Sequence, residues 1–467
     1  ADLDKTDPDA VVALARLYIY FGFGAEAAAT LRLLEGLDGT GILRGIAAIL
    51  DEDVLPDGGV FAGQLECETA AAFWAIMSLP AIPPGTRIDK NTIARTFNAL
   101  PLHLRTYLGP ALAKRFSVAG DTEMARRILD IVERGSPDPS PEAKLVRVET
   151  DLVEGRAEQA NAPLSEVAES NSDQSPLALL LMVDNHLESG ESLSFEHAQL
   201  IGAYAMQYRD DRLGKELARA HVAALAASGA FKEAFDTLER SAQPTAPGVS
   251  ETRSVVARLL AQKADDSVFL RYALSGDLGP VDDLDEGVAN AVSQRLLELG
   301  FPDRARTLVA ARSEGHLERE RQVLRARAAL ATGRPRQAEV DLIGRTDAAA
   351  NALRARARSM IGEHAAALAL YRSAGQDADV MEQAWYGESW VDLRNSPDPV
   401  IQQLTSALSD AETNSSVIES PLLAKNRALL ESSDRMRGAI SALLDQKKLP
   451  ELPGVTGNDQ MPLTESQ

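Results

Sequence analysis

The chain has 467 residues, of which 45% are hydrophobic and only 5% aromatic, and its formal net charge is −21. A chain of this size can bury one or more hydrophobic cores without disulfides or metals. The acidic balance argues against nucleic acid or an anionic membrane surface as a partner, because both require a cationic surface. A single cysteine, Cys67, excludes an internal disulfide framework and a cysteine-rich metal site.

The same composition bears on the membrane and the compartment. No apolar run reaches the length of a bilayer-spanning helix, so we expect no membrane span. The sequence starts at Ala1 without a basic and apolar leader, which fits signal removal, a trimmed methionine or an expressed fragment. Arginine outnumbers lysine nearly four to one, which suggests a GC-rich bacterial genome. We expect a periplasmic location, with the cytoplasm as the alternative.

The N-terminal stretch predicts two helices joined at Gly22. Asp7 and Pro8 suit the start of the first helix, and the second carries Ala27 and Leu31 on one face. The densest aromatic patch of the chain lies at this junction and comprises Tyr18, Tyr20, Phe21 and Phe23. Packing between repeats would bury these rings, whereas a docking patch would expose them. The sequence fits both the packing and the docking interpretation.

Residues 40–105 are predicted to be helical but irregular in period. The glycines of 36–45 imitate a dinucleotide-binding loop, but such a loop follows a strand and here a helix precedes it. Asp89 is a predicted helix N-cap, and Pro101 is placed to start a further helix. No segment alternates apolar and polar residues with β-branched enrichment, so we expect essentially no sheet.

One register recurs along the chain: a glycine, an alanine five residues later, and a large apolar residue four residues after the alanine. Its seven best copies are Gly22–Ala27–Leu31, Gly120–Ala125–Leu129, Gly155–Ala160–Leu164, Gly229–Ala234–Leu238, Gly300–Ala305–Val309, Gly333–Ala338–Leu342 and Gly362–Ala367–Tyr371. The glycine is suited to end one helix in a left-handed conformation. The alanine and the large residue then share one face of the next helix.

The last copy shows a family resemblance. Its second helix carries Ala367, Tyr371 and Ala374, and the following helix carries Gly387 and Trp390 three residues apart. This arrangement of small and aromatic residues resembles the tetratricopeptide repeat. The resemblance implies an all-α fold, a right-handed superhelical array of antiparallel helix pairs, or α-solenoid.

The resemblance is clear over residues 290–395 and more diffuse over 10–35 and 110–240, where small positions of the motif are often replaced. Breaks rich in proline and serine divide the chain into three predicted domains. They are an N-terminal helical region with irregular repeats (1–135), the α-solenoid (142–448) and a flexible C-terminal tail (449–467).

No stretch of the sequence carries a catalytic or metal-binding motif. The six histidines lack metal-ligand spacing, and the thiolate of Cys67 is disfavoured by Glu66 and Glu68 on either side. The acidic loop 277–286 does not have the spacing of an EF-hand, and Asp285 is better placed to cap the next helix. We therefore expect no enzymatic activity, no cofactor and no metal.

Residues 304–358 contain 13 arginines and six acids, a local charge of +7. The general interpretation is a solvated surface with internal ion pairs. The resemblance implies a sharper one, because the residue after the small position of each first helix faces the groove of a tetratricopeptide array. Arg327 and Arg356 occupy that position one repeat apart, where arginine forks would bind the carboxylates of an acidic or C-terminal segment. The candidate partner-binding residues are Arg327, Arg356, Arg325, Arg354, Trp385 and Trp390.

The leading prediction for function is a non-enzymatic scaffold or adaptor that binds protein partners, such as an accessory of a bacterial envelope machine. One alternative is a cell-wall enzyme similar to lytic transglycosylases, in which a superhelical domain accompanies a catalytic one. The Glu-Ser pairs of this chain lack the segment that follows in that family. The other alternative is a peptide-binding chaperone. A homo-oligomer is compatible with the sequence.

Overall fold

The computed structural model describes residues 7–34, 39–51, 55–136, 138–241, 248–415 and 422–446. Every regular element in these ranges is a helix and none is a strand, so the all-α prediction is confirmed. The helices group into two compact units, residues 1–264 and residues 265–467.

The described part of the first unit contains α-helices that we number α1 to α14. They are α1 (Pro8–Phe21), α2 (Gly24–Arg32), α3 (Gly41–Leu50), α4 (Ala70–Met77), α5 (Lys90–Ala99), α6 (Leu102–Val118), α7 (Thr122–Gly135), α8 (Pro141–Val153), α9 (Asn161–Glu169), α10 (Ser175–Ser189), α11 (Phe195–Gln207), α12 (Arg212–Ala227), α13 (Phe231–Ser241) and α14 (Val249–Lys263). Short 3₁₀ segments lie at Pro56–Phe61 and Ala157–Gln159.

The second unit continues the numbering from α15 over its described residues. Its helices are α15 (Asp266–Leu274), α16 (Glu286–Glu298), α17 (Pro302–Leu308), α18 (Gly315–Ala331), α19 (Pro335–Asp341), α20 (Ala348–Met360), α21 (His364–Ala374), α22 (Asp377–Tyr386), α23 (Trp390–Leu393), α24 (Pro399–Ser415) and α25 (Leu422–Gln446). A 3₁₀ segment at Val281–Asp283 precedes α16.

The glycine of each register copy closes a helix. All seven glycines have φ between 70° and 86°. At Gly333 the amide N–H donates to the carbonyl of Leu330, and the N–H of Arg334 donates to the carbonyl of Ala329. This pair of bonds is the Schellman closure, and it recurs at the other six glycines. A Cβ on Gly333 would meet nothing within 4 Å, so glycine is required for its conformation rather than for space.

The alanine and the large residue of each copy lie in the core. All seven alanines are 0% exposed, and the large residues are at most 8% exposed. The two positions are one turn apart on the same helix face, so the small side chain permits close approach and the large one fills the space beside it. The register prediction is therefore confirmed in every copy.

Successive helix pairs in the second unit pack in a regular order. We call α16, α18 and α20 first helices, because each is followed directly by a helix that packs against it, respectively α17, α19 and α21. A first helix contacts its own partner and the next first helix, so α16 contacts α18 and α18 contacts α20. The partners α17 and α19 also contact the first helix that follows them. Residues on neighbouring first helices are thereby brought side by side.

The irregular segment of the first unit is closed by a large apolar core instead of the repeat register. Phe73 of α4, Phe97 of α5, Phe116 of α6 and Ile128 of α7 belong to one buried cluster, and the rings of Phe73 and Phe97 are 6.2 Å apart. Helices α4 and α5 belong to no copy of the register, so large side chains fill their part of the cluster, whereas α6 returns to α7 through the register glycine Gly120.

Two predicted helix caps are present. The carboxylate of Asp89 accepts from the N–H groups of Asn91 and Thr92 at 3.0 and 3.2 Å at the start of α5. Asp285 accepts in the same way from Gly287 and Val288 at the start of α16. This confirms the prediction that Asp285 caps α16.

The predicted domain boundaries lie at breaks in the sequence repeat, whereas the two compact units are defined by contacts between residues. The linker between 135 and 142 lies inside the first unit, where α7 and α8 contact each other. The domain boundaries 1–135 and 142–448 stay predictions, and the predicted tail 449–467 lies outside the described residues.

Replacing Gly333 by alanine should destabilise the second unit by about 1 kcal/mol, because alanine resists the left-handed conformation. Urea unfolding followed by circular dichroism measures the change. Gly276→Ala is the matched control: Gly276 does not have a left-handed φ, and a Cβ there would meet nothing within 4 Å. Equal stability of the two variants would contradict the role given to the turn.

Candidate protein-binding site

The arginine-rich window 304–358 is mostly bonded within the second unit. Eight of its 13 arginines donate hydrogen bonds or form ion pairs there: Arg304, Arg306, Arg321, Arg325, Arg334, Arg345, Arg354 and Arg358. The guanidinium groups of the other five have neither within the described residues, and these are Arg312, Arg319, Arg327, Arg336 and Arg356. Most of the arginines in this window therefore have hydrogen-bond or ion-pair partners within the second unit.

Arg325 caps the C-terminal end of α17. It is 9% exposed, its Nη1 donates to the carbonyl of Val309 at 2.9 Å, and its Nη2 bonds the Glu318 carboxylate at 2.6 Å. Val309 ends α17, so the guanidinium satisfies a carbonyl that the helix itself leaves unbonded. The donors of Arg325 are thus used inside the unit, and we leave it out of the proposed site.

Arg354 has the same role one pair later. From α20 it donates to the carbonyls of Leu342 and Arg345, just after α19. In the first unit Arg44 of α3 donates to the carbonyls of Leu31 and Leu34, at the end of α2. At these junctions an arginine from the following helix caps the preceding helix, and Arg354 is therefore also left out of the proposed site.

Arg327 and Arg356 differ from these capping arginines. They directly follow the fully buried Ala326 and Ala355, on helices α18 and α20 that contact each other. Arg327 is half-buried and Arg356 is exposed, and neither guanidinium has a hydrogen bond or an ion pair among the described residues. Two unpaired positive charges on neighbouring first helices form a surface that can accept carboxylates.

The surroundings of Arg356 include the buried Tyr371. Burial raises the pKa of the Tyr371 hydroxyl, the charges of Asp379 and Glu382 raise it further, and Arg356 acts in the opposite direction. The hydroxyl of Tyr371 thus lies within the electrostatic range of Arg356 and also of acidic side chains of α22.

Trp385 and Trp390 are arranged edge to face, with ring centroids 6.3 Å apart. Trp390 is half-buried and packs against the core that contains Leu393. Trp385 is 36% exposed and lines a cavity of about 580 Å³. The side chains around the cavity are Met381, Glu382, Trp385, Tyr386, Leu393, Asp398, Ile401 and Leu443. Trp385 therefore lines this cavity, whereas Trp390 packs on the core beside it.

The sequence did not indicate that Asp398 and Leu443 share this cavity with Trp385. They come from the start of α24 and from α25, and nothing in their spacing along the chain links them. The apolar heptad-like spacing of leucines in α25 indicates a helix face, but the cavity depends on how that helix packs against its neighbours.

The aromatic patch at the first junction is largely exposed. Tyr20, Phe21 and Phe23 are each about half exposed, at 51%, 52% and 52%. His103 of α6 lies against two of them, with ring centroids 5.5 Å from Tyr20 and 6.4 Å from Phe21. These three rings agree better with the docking-patch interpretation than with burial between repeats.

Neither a metal cluster nor a membrane span is found in the described ranges. No group of three or more His, Cys, Asp or Glu side chains there is arranged to hold a metal ion. No helix in the same ranges is both long and apolar enough to cross a bilayer. The half-buried Cys67 bonds through its Sγ to the side-chain oxygen of Gln64 at 2.9 Å.

Comparison of the chain with protein-family models, curated proteins and solved structures gives no match. The function is therefore argued from the surfaces of the chain itself.

Arg325→Ala should destabilise the second unit by about 3 kcal/mol, because it leaves the partly buried Glu318 carboxylate and the Val309 carbonyl without their donor. Arg336→Ala is the matched control, since its guanidinium is exposed and unpaired in the described residues, and it should change stability by less than about 0.5 kcal/mol. Urea unfolding distinguishes them, and a neutral Arg325→Ala would contradict the capping role.

The acid stability of the second unit should depend on Glu318. Burial opposes ionisation of this carboxyl, but hydrogen bonds from the Ser313 amide and from Arg325 outweigh it, so its pKa is lowered below the ordinary 4.5. A lowered pKa in the folded state contributes stability above the unfolded pKa and loses it as pH falls through the folded value.

Glu318→Gln should therefore be less stable than the parent at pH 7, and the difference should shrink as pH falls from 5 towards 3. Thermal unfolding at several pH values measures it. Glu314→Gln is the control, because the exposed Glu314 side chain has no hydrogen bond or ion pair within the described part of the chain. A stability difference between parent and Glu318→Gln that does not vary with pH would be evidence against this coupling.

Proposed function

We propose that this chain is a non-enzymatic scaffold or adaptor, a right-handed tetratricopeptide-like array of helix pairs that binds protein partners. The proposal is supported by the alternation of first and second helices in the second unit and by the contacts between successive first helices. Stacked helix pairs of this kind present long surfaces on which residues of neighbouring repeats act together.

The observation that carries the proposal is the unpaired state of Arg327 and Arg356. On the same two helices, Arg325 and Arg354 donate their hydrogen bonds to backbone carbonyls at helix ends. A half-buried guanidinium such as that of Arg327 loses part of its hydration, and a carboxylate from outside the chain would replace it. An exposed second arginine on the adjacent helix would hold the same segment at a second point.

The partner segment proposed here is acidic or ends in a free carboxylate. Arginine forks bind carboxylates with two parallel hydrogen bonds, which gives direction as well as affinity. Trp385 at its cavity is a second proposed contact for an apolar side chain of a partner, because aromatic anchors in pockets contribute strongly to protein interfaces.

We also propose the cellular setting, an accessory of a bacterial envelope machine in the periplasm, with the cytoplasm as the alternative. The acidic composition and the single cysteine suit either compartment. Fractionation of the native organism with an antibody against the chain decides between them, and size-exclusion chromatography with light scattering reports whether the chain is a homo-oligomer.

Arg327→Glu combined with Arg356→Glu should abolish binding of acidic peptides by the full chain, because two attractive charges become repulsive. Fluorescence anisotropy with labelled Asp/Glu-rich peptides measures this, using a free and an amidated C-terminus to separate side-chain from terminal carboxylates. Binding to the parent should weaken as salt is raised.

The matched control is Arg312→Glu with Arg336→Glu, which makes the same charge change at two exposed arginines outside the first helices. This control should keep most of the peptide affinity. Equal losses in both double variants would show that net charge alone attracts the peptide, and the site assignment would then fail. Circular dichroism verifies that each variant is folded.

A further inference from the structure

A groove in the first unit lies between α10, α12 and α14, and the glycine–alanine register contributes none of its lining. Its volume is about 330 Å³, at the lower end of the range of ligand sites in proteins. α12 contacts both α10 and α14, so the three helices enclose the groove together. The apolar part of the lining comprises Leu180, Val183, Leu187, Ala220, Ala223 and Val255.

The charged part of the lining is mainly acidic. Asp184 comes from α10, Glu216 and Arg219 from α12, and Glu251 from α14. Glu216 is paired with Arg212 at 2.9 Å on its own helix. The carboxylates of Asp184 and Glu251 have no hydrogen bond or ion pair within the described residues. The groove therefore combines an aliphatic wall with two acidic groups that lack an internal cation.

The sequence around α10 adds to this charge. From 157 to 208 the chain has eight acidic residues and neither lysine nor arginine. Cations from elsewhere reach parts of this stretch, as when Lys144 pairs with Glu166 on α9. Arg219 is the one cation among the groove's lining residues, against three acids, and no ion pair joins it to Asp184 or Glu251 within the described residues. A ligand of positive charge would thus complement the groove, whereas an acidic ligand would be repelled.

We propose that this groove binds a cationic, aliphatic segment of a protein partner. The stem of a lysine or arginine from that segment lies along Leu180, Val183 and Leu187, and its charged head meets Asp184 and Glu251. Long basic side chains bury their methylene groups on apolar surface in this way while the head stays at the polar edge. The proposal concerns the first unit and does not rest on the arginine pair of the second.

The state of the Asp184 carboxyl supports this assignment. Desolvation by the groove walls, together with the nearby charge of Glu188, raises the pKa of Asp184. The other charged groups facing it are Glu216 and Arg219 from α12 and Glu251 from α14, while α9 and α11 contribute no lining residue. A bound cation would act against this upward shift of the pKa, because its charge stabilises the ionised carboxylate.

The test uses the full chain and short fluorescein-labelled peptides in which arginine alternates with leucine. Analogues with glutamine or glutamate in place of arginine separate the effect of charge from that of apolar contact. An analogue with serine in place of leucine removes the apolar contact that the leucine side chains make. Anisotropy titrations should show saturable binding of the Arg/Leu peptide, weaker binding of the Gln/Leu and Arg/Ser peptides and none of the Glu/Leu peptide.

Asp184→Asn with Glu251→Gln should weaken the Arg/Leu peptide roughly tenfold, the loss of two partly screened ion pairs. The matched control is Glu158→Gln with Glu196→Gln, two exposed acids of the same cation-free stretch that do not line the groove. This control makes the same net-charge change and should bind as the parent does. Both changes are isosteric, and thermal unfolding verifies the fold.

Affinity for the Arg/Leu peptide should also fall as pH is lowered, since protonated Asp184 gives no attraction, and the fall should begin at higher pH than for an ordinary aspartate. The Asp184→Asn variant should lose that part of the pH dependence. The proposal is overturned by absence of saturable binding, by equal losses in the two double variants, or by tighter binding of the Gln/Leu or Glu/Leu peptide.

Discussion

The array depends on one residue per helix pair whose backbone is left-handed. At each register glycine the chain ends a helix, satisfies two carbonyls by the Schellman bonds and returns at once as the next helix. The return places an alanine fully in the core one turn later, where a larger side chain would keep the helices apart. Close pairing within each unit of the repeat then allows successive first helices to touch, which is what brings Arg327 and Arg356 onto adjacent elements.

Arginine side chains cap helix ends that no register glycine closes. Glycine closes the turn inside a pair, and at three junctions an arginine of the following helix caps the preceding helix, as Arg44, Arg325 and Arg354 do. Helix C-termini carry partial negative charge and unbonded carbonyls, so a guanidinium satisfies both needs. The same residue type thus serves the fold and the proposed site. What separates the two roles is whether the donors find acceptors within the unit.

The all-α fold and the glycine–alanine register were predictable, because helix periodicity and left-handed glycines act locally along the chain. Which arginines bond to helix ends and which stay unpaired was not predictable. Arg325 and Arg327 are two residues apart, so spacing alone shows that they point to different faces but not which face meets the preceding helix end. The groove of the first unit was also missed, although a signal existed: Asp184 interrupts the apolar positions 180, 183 and 187 of one helix face, within a stretch that has no basic residue.

The two proposed surfaces have opposite charge and lie in different units. Each is explained by the same principle, that a charge left without an internal partner on a folded surface is available to an external one. In the window 304–358 the excess arginines first satisfy helix ends, and two on neighbouring first helices stay unpaired. In 157–208 the acids have no lysine or arginine beside them in the sequence, and Asp184 of this stretch lines the α10–α12–α14 groove with Glu251 of α14, both unpaired within the described residues. A scaffold with these surfaces would select one partner segment by its carboxylates and another by its basic side chains, so the same chain could hold two different ligands without competition between them.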